Sequence, residues 1–94
     1  MSTTHRLKTI GRFWDSVNSG EKNFEVRLND RGFQKGDILE LVRLKTNGDI
    51  DYKPISKPNS IPEALLLRKR ITFLLQGGQF GLDPLWCVMG LSDP

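Results

Sequence analysis

A small, mainly β domain of the α+β class, with five to six strands and one early helix, is the fold this sequence predicts. Three observations predict it. Short apolar runs at residues 23–29, 38–44, 65–76 and 85–91 are separated by clusters of turn-forming residues. Only one segment, Ile10, Phe13, Trp14 and Val17, recurs at the i, i+3, i+4, i+7 spacing of an amphipathic helix. The chain has 94 residues, which suits one core and a single domain over 1–94. Several short strands with little helix favour a barrel that closes on itself, because closure removes unpaired sheet edges.

The elements follow in order. Residues 7–10 (Leu-Lys-Thr-Ile) give a short first strand signal. The helix then fits two turns over residues 11–19, with Phe13 and Trp14 packing into the core and Gly20 as its left-handed stop. In the strand at 23–29, alternation puts Phe24, Val26 and Leu28 on an apolar face and Asn23, Glu25, Arg27 and Asn29 on a polar one. Asn29-Asp30-Arg31-Gly32 and Lys35-Gly36-Asp37 supply turns, with Phe33 between them as a plug. The strand at 38–44 is expected to pair antiparallel with the one before it, since strands close in sequence usually do. Residues 45–64 contain Asn47-Gly48-Asp49 and Pro54, Pro58 and Pro62, so they read as an exposed loop with a short edge strand at Ile50, Tyr52 and Ile55. In 65–76, Leu, Arg and Lys favour helix, but Ile71-Thr72-Phe73 followed by Gly77-Gly78 tips the segment to strand. Residues 85–91 close the fold.

Composition excludes several classes. The 14 Lys and Arg exceed the 11 Asp and Glu by a formal +3, which permits an anionic partner without requiring one. Cys87 is the sole cysteine and sits in an apolar run, which predicts a buried, inert thiol and no disulfide. With His5 as the sole histidine, a zinc site would need carboxylates for most of its ligands, so no metal is expected. A domain this small has room for a surface cleft rather than an enclosed pocket, and no cofactor is expected. His5 itself is expected at the surface. No apolar run approaches the ~20 residues that span a bilayer, and the first residues lack a signal core, so the expectation is a soluble, cytoplasmic protein.

The stretch from Ser19 to Asp37 carries the most specific pattern. Ser19-Gly20-x-Lys22-x-x-Glu25-x-Arg27, followed by Lys35-Gly36-Asp37 and an apolar strand, resembles the signature of the ASCH family within the PUA-like superfamily of small β-barrels. His5-x-Leu7-Lys8, Asn29-Asp30-Arg31 and Gly81-Leu82 before the last strand extend the resemblance to a branch of small bacterial and phage proteins. The loop at 45–64 departs from that branch: Tyr52 stands where a Tyr-Thr-Gly-Arg stretch is usual. The resemblance implies a PUA-like pseudo-barrel with a cleft between the helix and the motif strand. It also implies binding of RNA or of a nucleotide with a modified base. One ASCH group hydrolyses N4-acetylcytidine and some members are described as ribonucleases.

Residue chemistry gives each reading its candidates. For binding, Arg27 contacts a phosphate or a base edge, Lys22 acts as a point charge, and Glu25 accepts from an exocyclic amine. Arg68 and Arg70 extend the basic track, while Tyr52 or Trp86 stack on an unpaired base. For hydrolysis, Lys22 matches the resembled lysine and Arg27 the arginine, but Glu25 occupies the threonine's place, leaving Lys22 and Glu25 as base and acid on a water. The bland alternative makes Glu25 and Arg27 a surface pair worth about 0–1 kcal/mol. A further alternative, suggested by the phage-like branch, is an accessory protein that docks a host protein through the Pro-rich loop and Phe80 or Trp86.

Overall fold

The structure, a computed structural model, describes residues 2–55 and 57–94; Ser56, within the expected loop, lies outside them. Five strands and one helix are present: β1 (Thr4–Ile10), α1 (Gly11–Asn18), β2 (Phe24–Leu28), β3 (Ile38–Leu44), β4 (Leu66–Gln76) and β5 (Trp86–Ser92). The strands form one sheet in the order β1-β3-β4-β5-β2, curled into a half-barrel. The fold is mainly β with a single short helix, as the sequence predicts.

The curl comes from β4. Its first half pairs with β3 and its second half with β5, so one strand turns the corner between two parts of the sheet. A register shift between Ile71 and Phe73 adds a bulge at the turning point, and bulges increase local twist. Gly90 lies opposite, where a Cβ would come within 3.0 Å of Thr72 Oγ1.

Pairing differs from the expectation at β2. It does not join β3; β3 pairs with β1 in parallel, and β2 crosses to the far edge and pairs antiparallel with β5. The reason lies in the connection between them. Phe33 is buried in the core and its N–H is held by Asn29 Oδ1 at 3.0 Å, so residues 29–37 run across the half-barrel rather than doubling back. The sheet therefore keeps two edges, β1 and β2, where closure was expected.

The faces of β2 are also exchanged. Glu25 is 3% exposed and Arg27 half-buried on the inner side with Cys87 and Met89, while Phe24, Val26 and Leu28 are each more than two-fifths exposed. Local alternation names two faces but not which one the sheet turns inwards.

α1 lies where the pattern puts it. Trp14 and Val17 are buried, and Trp14 Nε1 donates to the Leu41 carbonyl at 2.8 Å, pinning the helix to β3. Gly11 is required there, since a Cβ would stand 2.6 Å from the Leu44 carbonyl oxygen. Phe13 is half-exposed and faces away from the core, contrary to the expectation for it. Gly20 takes φ 85°, and Lys22 N–H donates back to the Ser16 carbonyl at 2.9 Å. The core is built from Leu7, Trp14, Val17, Phe33, Leu39, Leu41, Ile71, Cys87 and Met89. Residues 45–55 and 57–64 are irregular, and the expected edge strand is reduced to single bridges at Leu44–Ile50 and Tyr52–Ala64. No helix among the described residues is long and apolar enough to cross a membrane.

Candidate functional site

A large cleft lies in the gap between the two edges. It has a volume of ≈ 1190 Å³ and is bounded by β1 from Arg6 to Ile10, by β2, by Phe13 of α1 and Lys22 after it, and by Asp30, Arg31 and Trp86. Leu7 and Phe33 reach its floor from the core.

Lys22, Glu25 and Arg27 meet inside it. Lys22 Nζ donates to Glu25 Oε1 at 2.6 Å and to the Phe24 carbonyl at 2.6 Å. Arg27 Nε donates to Glu25 Oε2 at 2.8 Å, Nη1 to the Lys8 carbonyl at 3.0 Å and Nη2 to Thr9 Oγ1 at 3.0 Å. Arg27 thus spans the gap from β2 to β1. Lys22 also rests over two rings, 4.9 Å from the Phe24 centroid and 5.7 Å from that of Phe13. Local sequence explains the meeting. Glu25 and Arg27 are two apart on one face of a strand, and the turn after α1 is tied to Ser16, which brings Lys22 alongside.

A donor census shows what the network can do. An ammonium has three N–H donors and a guanidinium five. Lys22 spends two and keeps one; Arg27 spends three and keeps two. Two cations against one carboxylate leave the cluster with a net positive charge. A buried carboxylate holding two cations in fixed positions is a rigid support for an anion or a carbonyl.

Residues 4–91 match the family model described as a domain of unknown function, DUF3850. The chain belongs to that family. No curated protein matches it.

Other residues singled out by sequence lie elsewhere in this DUF3850 domain. Arg68 Nη1 pairs with Glu40 Oε2 at 3.2 Å on the outer side of the sheet, where Arg6 shares the same carboxylate at 3.3 Å. Arg70 stands on β4 opposite Ile38 and Ser92, and Tyr52 is bridged to Ala64 in the loop. None of these three lines the cleft. Composition supplied them as charge and aromatic content, without a place. Trp86 does line it, and so do Lys8, Thr9, Asp30, Arg31, Phe13 and Phe24, which were not assigned to the site. A signal for three of them was present, because Lys8, Asp30 and Arg31 stand in the stretches His5-x-Leu7-Lys8 and Asn29-Asp30-Arg31 that carry the resemblance.

His5 is buried, not at the surface. Its Nε2 lies 2.9 Å from Asp37 Oδ2, and its ring meets Phe33 edge-on at 4.8 Å. Burial acts to raise the Asp37 pKa, but hydrogen bonds from His5 and from the Thr3 and Gln34 N–H groups outweigh it and hold the carboxyl below its ordinary value. This pair ties the chain start to the turn before β3 and is structural. Cys87 is fully buried, and burial pushes its thiol up, as suits an inert core residue. Among the described residues no three His, Cys, Asp or Glu side chains stand together as a metal site.

Proposed function

We propose that this DUF3850 domain is ASCH-like and binds RNA or a nucleotide, including one with a modified base, in the cleft between β1 and β2. One observation carries the reading: the Lys22–Glu25–Arg27 network, which keeps three N–H donors unspent and a net positive charge, lines the cleft beside Phe13, Phe24 and Trp86. Phosphate takes the spare donors of Lys22 and Arg27, and an unpaired base takes an aromatic face. Lys8 and Arg31 add charge along the same walls.

Titration of labelled single-stranded RNA at two salt concentrations tests this. Binding is expected to weaken as salt rises, and Lys22→Ala and Arg27→Ala are each expected to lower affinity and reduce the salt slope by about 1. Absence of binding at low salt, or binding indifferent to both substitutions, sinks the proposal.

Hydrolysis of a modified nucleoside is the lesser reading. Glu25 spends both oxygens on cations, which suits a clamp better than a proton carrier. Thr9 is the hydroxyl nearest this network, and its oxygen accepts from Arg27. Incubation with N4-acetylcytidine followed by chromatography is expected to yield no cytidine.

A further inference from the structure

The open main-chain edge of β2 supplies a second set of contacts in this cleft. We infer that the N–H and C=O of Val26 read the Watson–Crick edge of an unpaired base; the inference rests on the nucleotide reading above.

The ladder fixes where these groups point. Leu91 N–H donates to the Asn23 carbonyl and Asn29 N–H donates to the Leu85 carbonyl, both at 2.8 Å, with Glu25 opposite Met89 and Arg27 opposite Cys87 between them. In an antiparallel pair, alternate residues exchange both main-chain groups with the partner, and those between turn theirs the other way. Residues 23, 25, 27 and 29 are thus committed to β5. Phe24, Val26 and Leu28 direct their N–H and C=O at the gap. Phe24 shows the direction, since its carbonyl accepts from Lys22. On the opposite wall, Ile38 N–H donates to the Thr3 carbonyl, so every second residue of β1 from there faces β3 and Arg6 and Lys8 face the gap. The Lys8 carbonyl accepts from Arg27. Two strand edges therefore look at each other across a space that no strand among the described residues fills.

Charge selects the occupant. An open edge takes either an extended peptide or a planar group carrying its own donors and acceptors. Five basic side chains line this cleft against two acidic ones; Lys22 and Arg27 share Glu25 and Arg6 is paired with Glu40, and the lining still carries an excess of positive charge. An anion with a flat, polar-edged body matches all of it. The phosphate sits on the spare donors of Lys22 and Arg27, a ring face lies on Phe24 or Trp86, and the base edge meets Val26. All bases carry at least one donor and one acceptor on the Watson–Crick edge, so Val26 accepts many sequences but only unpaired bases.

Fluorescence anisotropy with a uridine octamer, its N3-methyluridine counterpart and Val26→Pro tests this. Proline removes a donor that faces away from the ladder, so the β2–β5 bonds are kept. Methylation and Val26→Pro are each expected to weaken binding by about tenfold, the loss of one or two hydrogen bonds. Lys22→Ala should weaken both octamers alike. Equal affinity for the plain and methylated octamers overturns the inference and leaves the nucleotide reading standing. No binding of either octamer at low salt removes both. Binding of poly-glutamate that is lost in Val26→Pro, while octamer binding is unchanged, assigns the edge to a peptide strand and also overturns it. If circular dichroism shows Val26→Pro unfolded, the methylated octamer decides alone.

Discussion

Arg27 and Arg43 each sit in a cluster of charged side chains, and the two clusters do different work. Arg43 makes a fork with Asp15, Nε to Oδ1 at 2.9 Å and Nη2 to Oδ2 at 2.8 Å, and gives Nη1 to Asp51 at 2.8 Å. One cation faces two carboxylates, so the cluster is net negative and closed. Its hydrogen bonds with Asp15 raise the Arg43 pKa and lower that of Asp15. It staples α1, β3 and the first part of the loop together. Arg27 is one of two cations on a single carboxylate, its partners bridge two sheet edges, and it lines a cleft with two donors unspent. Placement at the cleft, and not the charge ratio alone, separates the two, since Glu40 on the outer side of the sheet also holds two arginines. Counting Arg and Asp or Glu in the sequence does not, because the partners of Arg43 lie 28 and 8 residues away.

Removing the shared carboxylate breaks the contrast most strongly. Glu25→Ala leaves two cations on the inner side of β2 without compensation, and an unpaired buried charge costs about 3–5 kcal/mol. Lys22 and Arg27 are partly exposed, at 18% and 24% of their side chains, so a loss of about 2–4 kcal/mol is expected from urea denaturation. A loss below about 0.5 kcal/mol would mean that the network is solvated and supports nothing.

The closed His5–Asp37 pair gives the next effect and a pH signature. Asp37→Asn removes an ionised acceptor from His5 and from the Thr3 and Gln34 N–H groups, at a cost of about 1–3 kcal/mol. The folded-state pKa of Asp37 is depressed, so its stabilisation is fully present above the unfolded value and is lost as pH falls through the folded one. The difference between wild type and Asp37→Asn should be constant at neutral pH and shrink below about pH 5. A difference that grows on acidification contradicts the assignment.

What the sequence made legible follows from range. Lys22, Glu25 and Arg27 fall within one turn and one strand, so alternation and the tight turn at Gly20 sufficed to bring them together. The existence of β3, β4 and β5 was equally local. Pairing was not. β2 lands on β5 because a buried Phe33 draws its connection across the half-barrel, and no local rule anticipates that. The burial of His5 depends on Asp37, 32 residues away, and Thr9 enters the site only because β1 forms the opposite wall. Arg68 and Arg70 show the converse. Their charge was plain, yet β4 places them on the sheet away from the cleft, where Arg68 answers Glu40.

Arg27→Lys sharpens the comparison at a smaller scale. Lysine keeps the charge but cannot hold Glu25, the Lys8 carbonyl and Thr9 at once, because its donors lack the planar fork. RNA affinity is expected to fall by about tenfold with stability changed by about 1 kcal/mol, as measured by anisotropy and urea titration on the same preparation. Unchanged affinity would show that charge alone acts at this position.

The smallest expected effect is at the staple. Asp15→Asn removes a carboxylate from the outer end of the Arg43 cluster, where Asp51 still compensates the guanidinium. The urea midpoint should shift less than for Glu25→Ala, and RNA affinity should not change, since Asp15 and Arg43 do not line the cleft. The substitution also raises the net charge of the domain by one, as Glu25→Ala does. If affinity rose in Asp15→Asn, long-range charge would govern binding and the local network would be incidental. If affinity fell with stability intact, α1 would transmit the loss to Phe13 and Lys22, and the staple would be part of the site rather than its contrast.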